Sequence, residues 1–236
     1  MRTTVSAPTP VVVAIDGPSG TGKSSTSKGV AARLGMAYLD TGAQYRAITW
    51  WMLTRGIDPA DTAEVAAAAE KPEIVSGTDP LAPTITVDGT DVSTPIRGAE
   101  VTGAVSAVSA VPEIRARITG LQRSIAAEAA RSGAGIVVEG RDIGTTVLPD
   151  ADLKIFLTAS PEVRAARRSG ELGGPQDAAR LAATRADLVR RDTADSSRTA
   201  SPLARAADAV ELDTADLTLE QVIERVGAMI EERRSA

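Results

Sequence analysis

A phosphate-binding loop is the most constraining feature of this sequence. Residues 17–24 spell Gly-Pro-Ser-Gly-Thr-Gly-Lys-Ser, which matches the pattern G-x-x-x-x-G-K-[ST] in full. The apolar residues 11–15 before it suit a buried parallel strand, and residues 22–34 after it suit a helix that ends at Gly35. Glycines let backbone N–H groups turn inward around phosphate oxygens, and the helix N-terminus adds a positive dipole end. The order strand, loop, helix predicts an α/β protein that binds a nucleoside triphosphate.

Each position of the loop has an expected part in binding ATP. Lys23 is expected to bridge the β- and γ-phosphates and Ser24 to offer its hydroxyl to Mg²⁺, the predicted cofactor that accompanies ATP. The predicted ATP-binding residues are Gly17, Pro18, Ser19, Gly20, Thr21, Gly22, Lys23, Ser24 and Ser25. GTPases, ATPase motors and small-molecule kinases share the motif, so it does not identify an acceptor. A chance glycine turn at a helix start is the alternative.

Buried-strand patterns alternate with helical patterns along the chain. The strand patterns cover residues 11–15, 37–39, 136–139, 153–157 and 209–212. Helices are predicted over residues 22–34, 43–55, 61–70, 96–110, 112–131, 160–168, 177–191 and 218–234. This alternation predicts a three-layer α/β fold with a five-stranded parallel core sheet. The stretch of about 60–134 interrupts it and contains a hairpin signal at 84–92, which predicts an inserted subdomain with a small antiparallel sheet.

The residue types that the chain lacks exclude several kinds of chemistry. It has no cysteine and no histidine, which excludes disulfides, thiolate chemistry, zinc sites built on these residues and an imidazole base. Catalysis must therefore use carboxylates, cations and backbone dipoles, with or without a hard metal ion. Aromatic residues make up only 2% of the chain, so we expect a core of Ala, Val, Ile and Leu.

Charge and hydropathy bear on partners and location. The formal net charge of −5 gives no reason to expect nucleic acid or an anionic membrane as a partner. No apolar run reaches the ~18 residues of a transmembrane helix, so we expect no membrane span. Residues 1–10 are polar, contain proline and lack the apolar stretch of a signal peptide. We expect them to form a flexible tail, and we expect a monomer in the cytoplasm.

Charged and polar residues follow two of the predicted strands. Ligands of α/β sheets bind at the carboxyl ends of the strands, where Thr41 and Arg46 could meet a phosphate. The alternative is that Thr41 is a plain N-cap and Arg46 a solvated helix residue. Residues 139–142, Glu-Gly-Arg-Asp, follow another strand, and Glu139 there could hold Mg²⁺ through water. A solvated turn is the alternative for this segment.

Two further groups of charges lie on predicted helices. Arg164, Arg167 and Arg168 share one helical face beside a glycine-rich loop at 170–175, where like charges repel unless a polyanion lies between them. A solvated basic face is the alternative. Residues 190–198, Arg-Arg-Asp-x-x-Asp-x-x-Arg, end a helix, and ordinary surface ion pairing would explain them equally well.

Six segments together resemble the bacterial cytidylate kinases over almost the whole chain. They are IDGPSGTGKSS (15–25), LDTGAQYR (39–46), VDGTDVSTPIR (87–97), EVTGAVSAVSAVPEIR (100–115), VEGRDIGTTVLPDADLKIFL (138–157) and RRDTADSSRTASPL (190–203). The first is common to P-loop kinases, whereas the Gly-Arg-Asp segment and the loop ending in Pro202-Leu203 are more specific. The resemblance implies a core of residues 11–40 and 135–236, an acceptor-binding subdomain at 41–134, and a mobile lid at about 165–180.

The resemblance also implies an activity and the roles of individual residues. The activity is phosphoryl transfer from ATP to CMP or dCMP. The implied CMP-binding residues are Thr41, Tyr45, Arg46, Arg141 and Arg198 around the α-phosphate, Ser106, Arg115 and Asp142 at the cytosine edge, and Arg191 and Asp195 at the ribose. The implied lid arginines are Arg164, Arg167 and Arg168. The predicted catalytic residues are Lys23, Arg141, Arg164, Arg168 and Arg198.

Two positions depart from the family's pattern. Thr41 stands where serine is common and keeps a hydroxyl. Glu139 stands where aspartate is common and reaches ~1.5 Å farther, one carbon–carbon bond, which makes metal geometry there less certain than in the loop.

Three other functions compete with this one. UMP, another monophosphate or a small metabolite such as shikimate is the nearest rival acceptor, and Ser106, Arg115 and Asp142 argue against it. A nucleotide-dependent switch is a rival of another class, but the chain has no N-K-x-D motif for guanine. A purely structural protein fits badly with so many clustered charges.

Overall fold

The computed structural model describes residues 9–171, 178–198 and 201–235 and contains two β-sheets. Its strands are β1 (Val12–Asp16), β2 (Ala37–Asp40), β3 (Ile74–Ser76), β4 (Ile85–Val87), β5 (Thr90–Asp91), β6 (Ile136–Glu139), β7 (Leu153–Thr158) and β8 (Val210–Asp213). The larger sheet is parallel, with five strands in the order β2-β6-β1-β7-β8. The predicted five-stranded parallel sheet is therefore confirmed.

Helices cover both faces of this sheet. They are α1 (Lys23–Leu34), α2 (Thr41–Thr54), α3 (Thr62–Ala68), α4 (Ala99–Val108), α5 (Pro112–Arg131), α6 (Pro161–Glu171), α7 (Ala178–Ser196) and α8 (Leu219–Arg234). Successive strand residues point to opposite faces. Val13 and Ile15 thus pack with α1 and α8, while Ala14 packs with α5, and all three side chains are fully buried. Burial on both faces explains why β1 and β6 are apolar throughout their interiors.

A second hydrophobic core lies in the stretch that interrupts the alternation. Strands β3, β4 and β5 form an antiparallel sheet, and helix α2 packs on it together with α4 and α5. The turn between β4 and β5 is Asp88-Gly89, with positive φ at both residues, 50° and 76°. The indole N–H of Trp51 donates to the carboxylate of Asp88 at 2.7 Å, which ties helix α2 to this turn.

The strand register brings the carboxyl ends of three neighbouring strands together. Asp40 at the end of β2 pairs with Glu139 at the end of β6, and Ile15 of β1 pairs with Glu139 on the other side. Asp16 follows Ile15 at the same edge, directly before the phosphate-binding loop. Since parallel strands share one carboxyl edge, residues far apart in sequence meet here.

The predicted elements were recovered with four differences. The helix predicted over 96–110 is two elements, a 3₁₀ turn at Pro95–Arg97 and helix α4, because extended backbone at Gly98 (ψ 158°) separates them. Strand β3 was not predicted, since three residues give too short a pattern. Helix α7 continues to Ser196, beyond the predicted end at 191. A π-helical turn, Ile143–Val147, had no sequence signal that we identified.

The expected core composition was wrong in part. Tyr38 is fully buried, and Trp51 and Tyr45 are 5% and 9% exposed, so three of the few aromatic residues are core residues. The glycine-rich loop predicted at 170–175 falls mostly on residues 172–175, which lie outside the described residues, as do residues 1–8 of the predicted tail. Over the described ranges, no helix combines the length and the apolar character needed to cross a membrane.

Candidate active site

The phosphate-binding loop leaves β1 and packs tightly against two neighbouring elements. Gly17 has φ 143°, and a Cβ there would lie 2.2 Å from the carbonyl oxygen of Leu157 on β7. Gly20 has φ 80°, and its Cβ would lie 2.9 Å from the backbone oxygen of Arg164 on α6. Both positions require glycine, because other residues rarely adopt such positive φ values and a side chain would collide with the neighbouring backbone. The loop therefore lies close to β7 and α6, with helix α1 starting at Lys23.

Lys23 lies inside this loop and is 6% exposed. Its ammonium donates to the carbonyl of Pro18 at 2.6 Å, across the mouth of the loop. Burial, and after it the nearby Arg141 guanidinium, lowers the pKa of Lys23 to about 7, although Glu139 and Asp16 oppose the change. An ammonium whose charge is disfavoured in the free protein is a group that an incoming polyanion would stabilise.

Ser24 and Glu139 form the side of the site that could hold a metal ion. The Ser24 hydroxyl donates to one carboxylate oxygen of Glu139 at 3.0 Å, and the Tyr38 hydroxyl hydrogen-bonds to the other. Burial raises the pKa of Glu139, and the carboxylate of Asp40 raises it further. A buried carboxylate with a destabilised charge, next to a hydroxyl, suits a hard cation that brings water and phosphate oxygens as its other ligands. These residues fit Mg²⁺ bound together with a nucleotide.

Arg141 and Arg198 converge on one carboxylate. Asp195 accepts from Arg141 Nε at 3.0 Å with one oxygen and from Arg198 Nη2 at 2.6 Å with the other. Arg141 also donates to the carbonyl of Gly17 at 3.1 Å, and Arg198 donates to the Ser109 hydroxyl at 3.0 Å. Arg141 is thus held beside the phosphate-binding loop, and Asp195 links it to Arg198, which Ser109 also binds.

Helix α2 begins at the same edge and contributes Thr41 and Arg46. Thr41 is buried, and its hydroxyl donates to the backbone oxygen of Glu139 at 2.6 Å. The N-cap of the helix is Asp40, not Thr41, since Asp40 accepts from the amide of Ala43 at 2.9 Å. Arg46 forms an ion pair with Asp40 at 2.9 Å and is therefore not simply a solvated helix residue.

A buried ion pair also lines the cleft. Arg115 pairs with Asp142, and each side chain is 7% exposed. Arg115 also donates to the Ser109 carbonyl at 3.3 Å, and its guanidinium lies 5.5 Å from the ring centre of Tyr45. Burial raises the pKa of Asp142, while Arg115 opposes that change. Ser106 lines the cleft near this pair.

The side chains of the three predicted lid arginines on α6 have different surroundings. Arg164 is buried and donates to the Ser19 carbonyl at 3.1 Å and to the carboxylate of Asp192. Arg168 lines the cleft. Arg167 instead donates to the hydroxyl and the carbonyl of Thr214, at 2.8 and 2.6 Å, beside the start of α8. In this structure Arg167 is thus bonded to Thr214, and its predicted role at the phosphate stays a prediction.

A cleft of about 500 Å³ joins these groups. Eight cationic side chains and four carboxylates line it, although the whole chain carries a net charge of −5. The predicted site residues that line it are Ser19, Gly20, Gly22, Lys23, Ser24, Ser25, Thr41, Tyr45, Arg46, Ser106, Arg115, Glu139, Arg141, Asp142, Arg168, Arg191, Asp195 and Arg198. The predicted residues outside its lining are Gly17, Pro18, Thr21, Arg164 and Arg167, of which the first four lie in or against the phosphate-binding loop.

Several residues of the site were not assigned a role from the sequence. They are Asp16, Tyr38, Arg97, Ser109 and Asp192. A carboxylate at a strand end was a signal for Asp16, comparable to the one that identified Glu139. Asp192 lies in the charged segment 190–198, which ordinary surface ion pairing explained equally well. The other three had no local signal, because their partners are distant in sequence, as with Tyr38 and Glu139, 101 positions apart.

The family model and the similar proteins all point to one family. The family model described as cytidylate kinase matches residues 13–232. Relatives named cytidylate kinase include proteins from Streptomyces avermitilis (72% identical, 96% of this chain and 95% of the relative) and Streptomyces griseus (70%, all of both chains). A cytidylate kinase from Nocardia farcinica is 53% identical over 96% of each chain. The match spans both sheets and all parts of the cleft, and the chain belongs to the cytidylate kinase family.

Proposed function

We propose that this protein transfers the γ-phosphoryl group of ATP to CMP or dCMP, giving ADP and CDP or dCDP. An oxygen of the acceptor's phosphate attacks the γ-phosphorus, and the bond from that phosphorus to the β,γ-bridging oxygen breaks. Both reactants are polyanions, so they repel each other unless fixed cations separate and neutralise them.

The crowding of guanidinium groups is the observation that carries this proposal. Burial lowers the pKa of Arg191, and Arg141, Arg168 and Arg46 lower it further, while Asp195 opposes them. These arginines destabilise each other's positive charge in the free protein. A phosphate chain bound between them would stabilise the charged guanidinium groups. This feature favours binding of two phosphate-bearing ligands in one cleft.

The donor end would hold ATP. The loop amides and Lys23 bind the β- and γ-phosphates, and Lys23 exchanges the carbonyl of Pro18 for a phosphate oxygen. Ser24 and Glu139 would hold Mg²⁺, the second through water. When bound, the metal ion neutralises negative charge that develops on the phosphate oxygens.

The acceptor end would hold the monophosphate. Thr41, Arg46, Arg141 and Arg198 are proposed to surround its phosphate, with Tyr45 lining the same pocket. A monophosphate is already an anionic nucleophile at neutral pH, so no general base is needed. This agrees with a sequence that contains no histidine.

Base selection is proposed to depend on Asp142, Arg115 and Ser106. The exocyclic amine of cytosine can donate to the carboxylate of Asp142, whereas uracil would place a carbonyl against it. Because both side chains of the Arg115–Asp142 pair are buried, an unmatched polar group there would stay unsatisfied, at a cost of roughly 1–3 kcal/mol. Arg191 and Asp195 are proposed to bind the ribose hydroxyls.

The division of the chain belongs to the same proposal. Residues 41–134 would form the acceptor-binding subdomain and residues of about 165–180 a lid that excludes water, with Arg164 and Arg168 contacting the transferring phosphate. The monomeric state and the cytoplasmic location stay predictions from the sequence.

A panel of acceptors tests the function directly. With ATP and Mg²⁺, turnover is measured in a coupled assay for CMP, dCMP, UMP, AMP and shikimate. We expect CMP and dCMP to be phosphorylated at least tenfold more efficiently than the others. Preference for UMP or shikimate would overturn the acceptor assignment, and ATP binding without acceptor-dependent turnover would favour a nucleotide switch.

A further inference from the structure

Asp192, on helix α7, is bound to the phosphate-binding loop. One of its carboxylate oxygens accepts from the backbone N–H of Ser19 at 3.3 Å, and the other accepts from Arg164. The same Arg164 nitrogen donates to the carbonyl of Ser19 at 3.1 Å. Carboxylate and guanidinium thus bind both backbone groups of a single loop residue.

This arrangement puts an anion where the loop is built to receive one. Backbone N–H groups of such loops bind phosphate oxygens, and Ser19 and Gly20 both line the cleft. The side chains of Asp192 and Arg164 are 17% and 7% exposed, so solvent screens their charges only in part. A negative charge held at this place opposes the entry of a phosphate.

Arg164 lies alongside the loop for reasons of packing as well as charge. Its backbone approaches Gly20 so closely that a Cβ there would lie 2.9 Å from the Arg164 oxygen. Within the described residues, its buried Nε has no hydrogen-bond partner. The guanidinium therefore has an unsatisfied donor next to the site where the triphosphate is proposed to lie.

We propose that Asp192 is a positioning residue that holds Arg164 beside the loop in the free protein and competes with an ATP phosphate for the Ser19 amide. This inference rests on the proposed function, because it assumes that the triphosphate binds in this loop. When phosphate replaces the carboxylate, Arg164 exchanges Asp192 for the phosphate, and the cation is already in place.

The substitution Asp192→Asn tests this competition. It removes the charge and keeps the shape, and we expect the dissociation constant of ATP, measured by calorimetry without acceptor, to fall about tenfold. Inorganic tripolyphosphate should show the same gain, since the effect concerns phosphate alone, while the KM for CMP should stay within about twofold. A merely structural role would weaken binding, so a gain in affinity is diagnostic.

Matched variants isolate the cause. Asp187→Asn makes the same change on the same helix, in an exposed ion pair with Arg190, and should leave ATP affinity unchanged. Arg164→Gln leaves the carboxylate without its cation and should weaken ATP binding about tenfold, so it tests the inference even if Asp192→Asn does not fold. In the double variant with Asp192→Asn and Arg164→Gln, most of the gain in ATP affinity from Asp192→Asn should be lost.

The outcomes distinguish a failure of the proposed function from a failure of the role proposed for Asp192. If the wild-type protein binds neither ATP nor tripolyphosphate, the proposed function itself is wrong. If it binds ATP but folded Asp192→Asn binds with equal or lower affinity, or if Arg164→Gln has no effect, only the role of Asp192 is overturned.

Discussion

The hydroxyl of Ser24 lies 3.0 Å from the carboxylate of Glu139, although 115 positions of sequence separate the two residues. Ser24 is in the first turn of α1, and Glu139 is the last residue of β6. The neighbouring strands β1 and β6 bring them together at the carboxyl edge of the sheet. This contact defines the proposed metal side of the cleft.

Glu139→Gln keeps the size of the side chain and removes its charge. We expect turnover to fall by about 10–100-fold and the Mg²⁺ concentration for half-maximal rate to rise, because outer-shell groups of metal sites contribute effects of this size. Rates are measured over a series of free Mg²⁺ concentrations. Glu128→Gln, in an exposed ion pair with Arg131, is the control. An unchanged Mg²⁺ dependence in Glu139→Gln would remove this residue from the metal site.

Lys23→Ala should lower turnover by about a hundredfold or more while the protein stays folded, since the lysine is proposed to contact both phosphates that separate in the reaction. Turnover and circular dichroism are the measurements. Lys28→Ala, on the same helix and over the ring of Tyr38, is the control and should lose little activity. Full activity in Lys23→Ala would show that the loop does not take part in catalysis.

Nucleotide binding should also take up a proton at Lys23. Burial lowers the pKa of this ammonium to about 7 in the free protein, and an adjacent polyanion favours the charged form. The pKa therefore rises on binding, and between the two values ATP affinity decreases as pH increases. Calorimetry at pH 8 in buffers of different ionisation enthalpy measures the uptake. Uptake of equal size in Lys23→Met would assign the proton to another group.

Asp16 should make stability pH-dependent. It accepts from the amides of Ile143 and Gly144 at 2.9 and 2.8 Å, yet burial raises its pKa from 3.8 to about 6. Between pH 4 and 6 the folded state therefore binds more protons than the unfolded state, and the free energy of unfolding falls as pH rises. The loss should amount to about 2–3 kcal/mol and be complete above pH 6.

The comparison with Asp16→Asn isolates this effect. The variant lacks the titrating group, so the difference in unfolding free energy between wild type and variant should change by about 2 kcal/mol from pH 4.5 to pH 7. Urea denaturation at both pH values gives this difference. A constant difference would show that Asp16 titrates alike in the folded and unfolded chain.

Asp195→Ala should impair CMP more than dCMP, because only CMP offers the 2′-hydroxyl that Asp195 is proposed to bind. In the wild-type protein the Asp195 carboxylate pairs with Arg141 at 3.0 Å and with Arg198 at 2.6 Å. The substitution removes both ion pairs, so kcat/KM should fall for both acceptors. We expect the ratio of kcat/KM for CMP over dCMP to fall about tenfold. Equal losses for both acceptors would refute the ribose role and leave Asp195 with its arginines alone.

Local patterns in the sequence were enough for the parts of the fold whose causes are local. The phosphate-binding loop, the predicted extent of α5 and the capping box of Thr218 and Gln221 at the start of α8 depend on residues within a few positions of each other. Hydrophobic period and capping chemistry act over that range, so these elements were predictable. The resemblance to a family extended this to most residues that line the cleft.

Only the tertiary structure decided which partners distant in sequence the charged residues have. Arg167 and Arg168 are neighbours in sequence, but the first binds Thr214 and the second lines the cleft. Asp192 looked like part of a surface ion pair, and its partners Ser19 and Arg164 are 173 and 28 positions away. Strand order and helix packing set such contacts, and neither is encoded in the spacing of nearby residues. The sequence by itself determined what groups the protein has, and the packing of its sheet decided which of them meet.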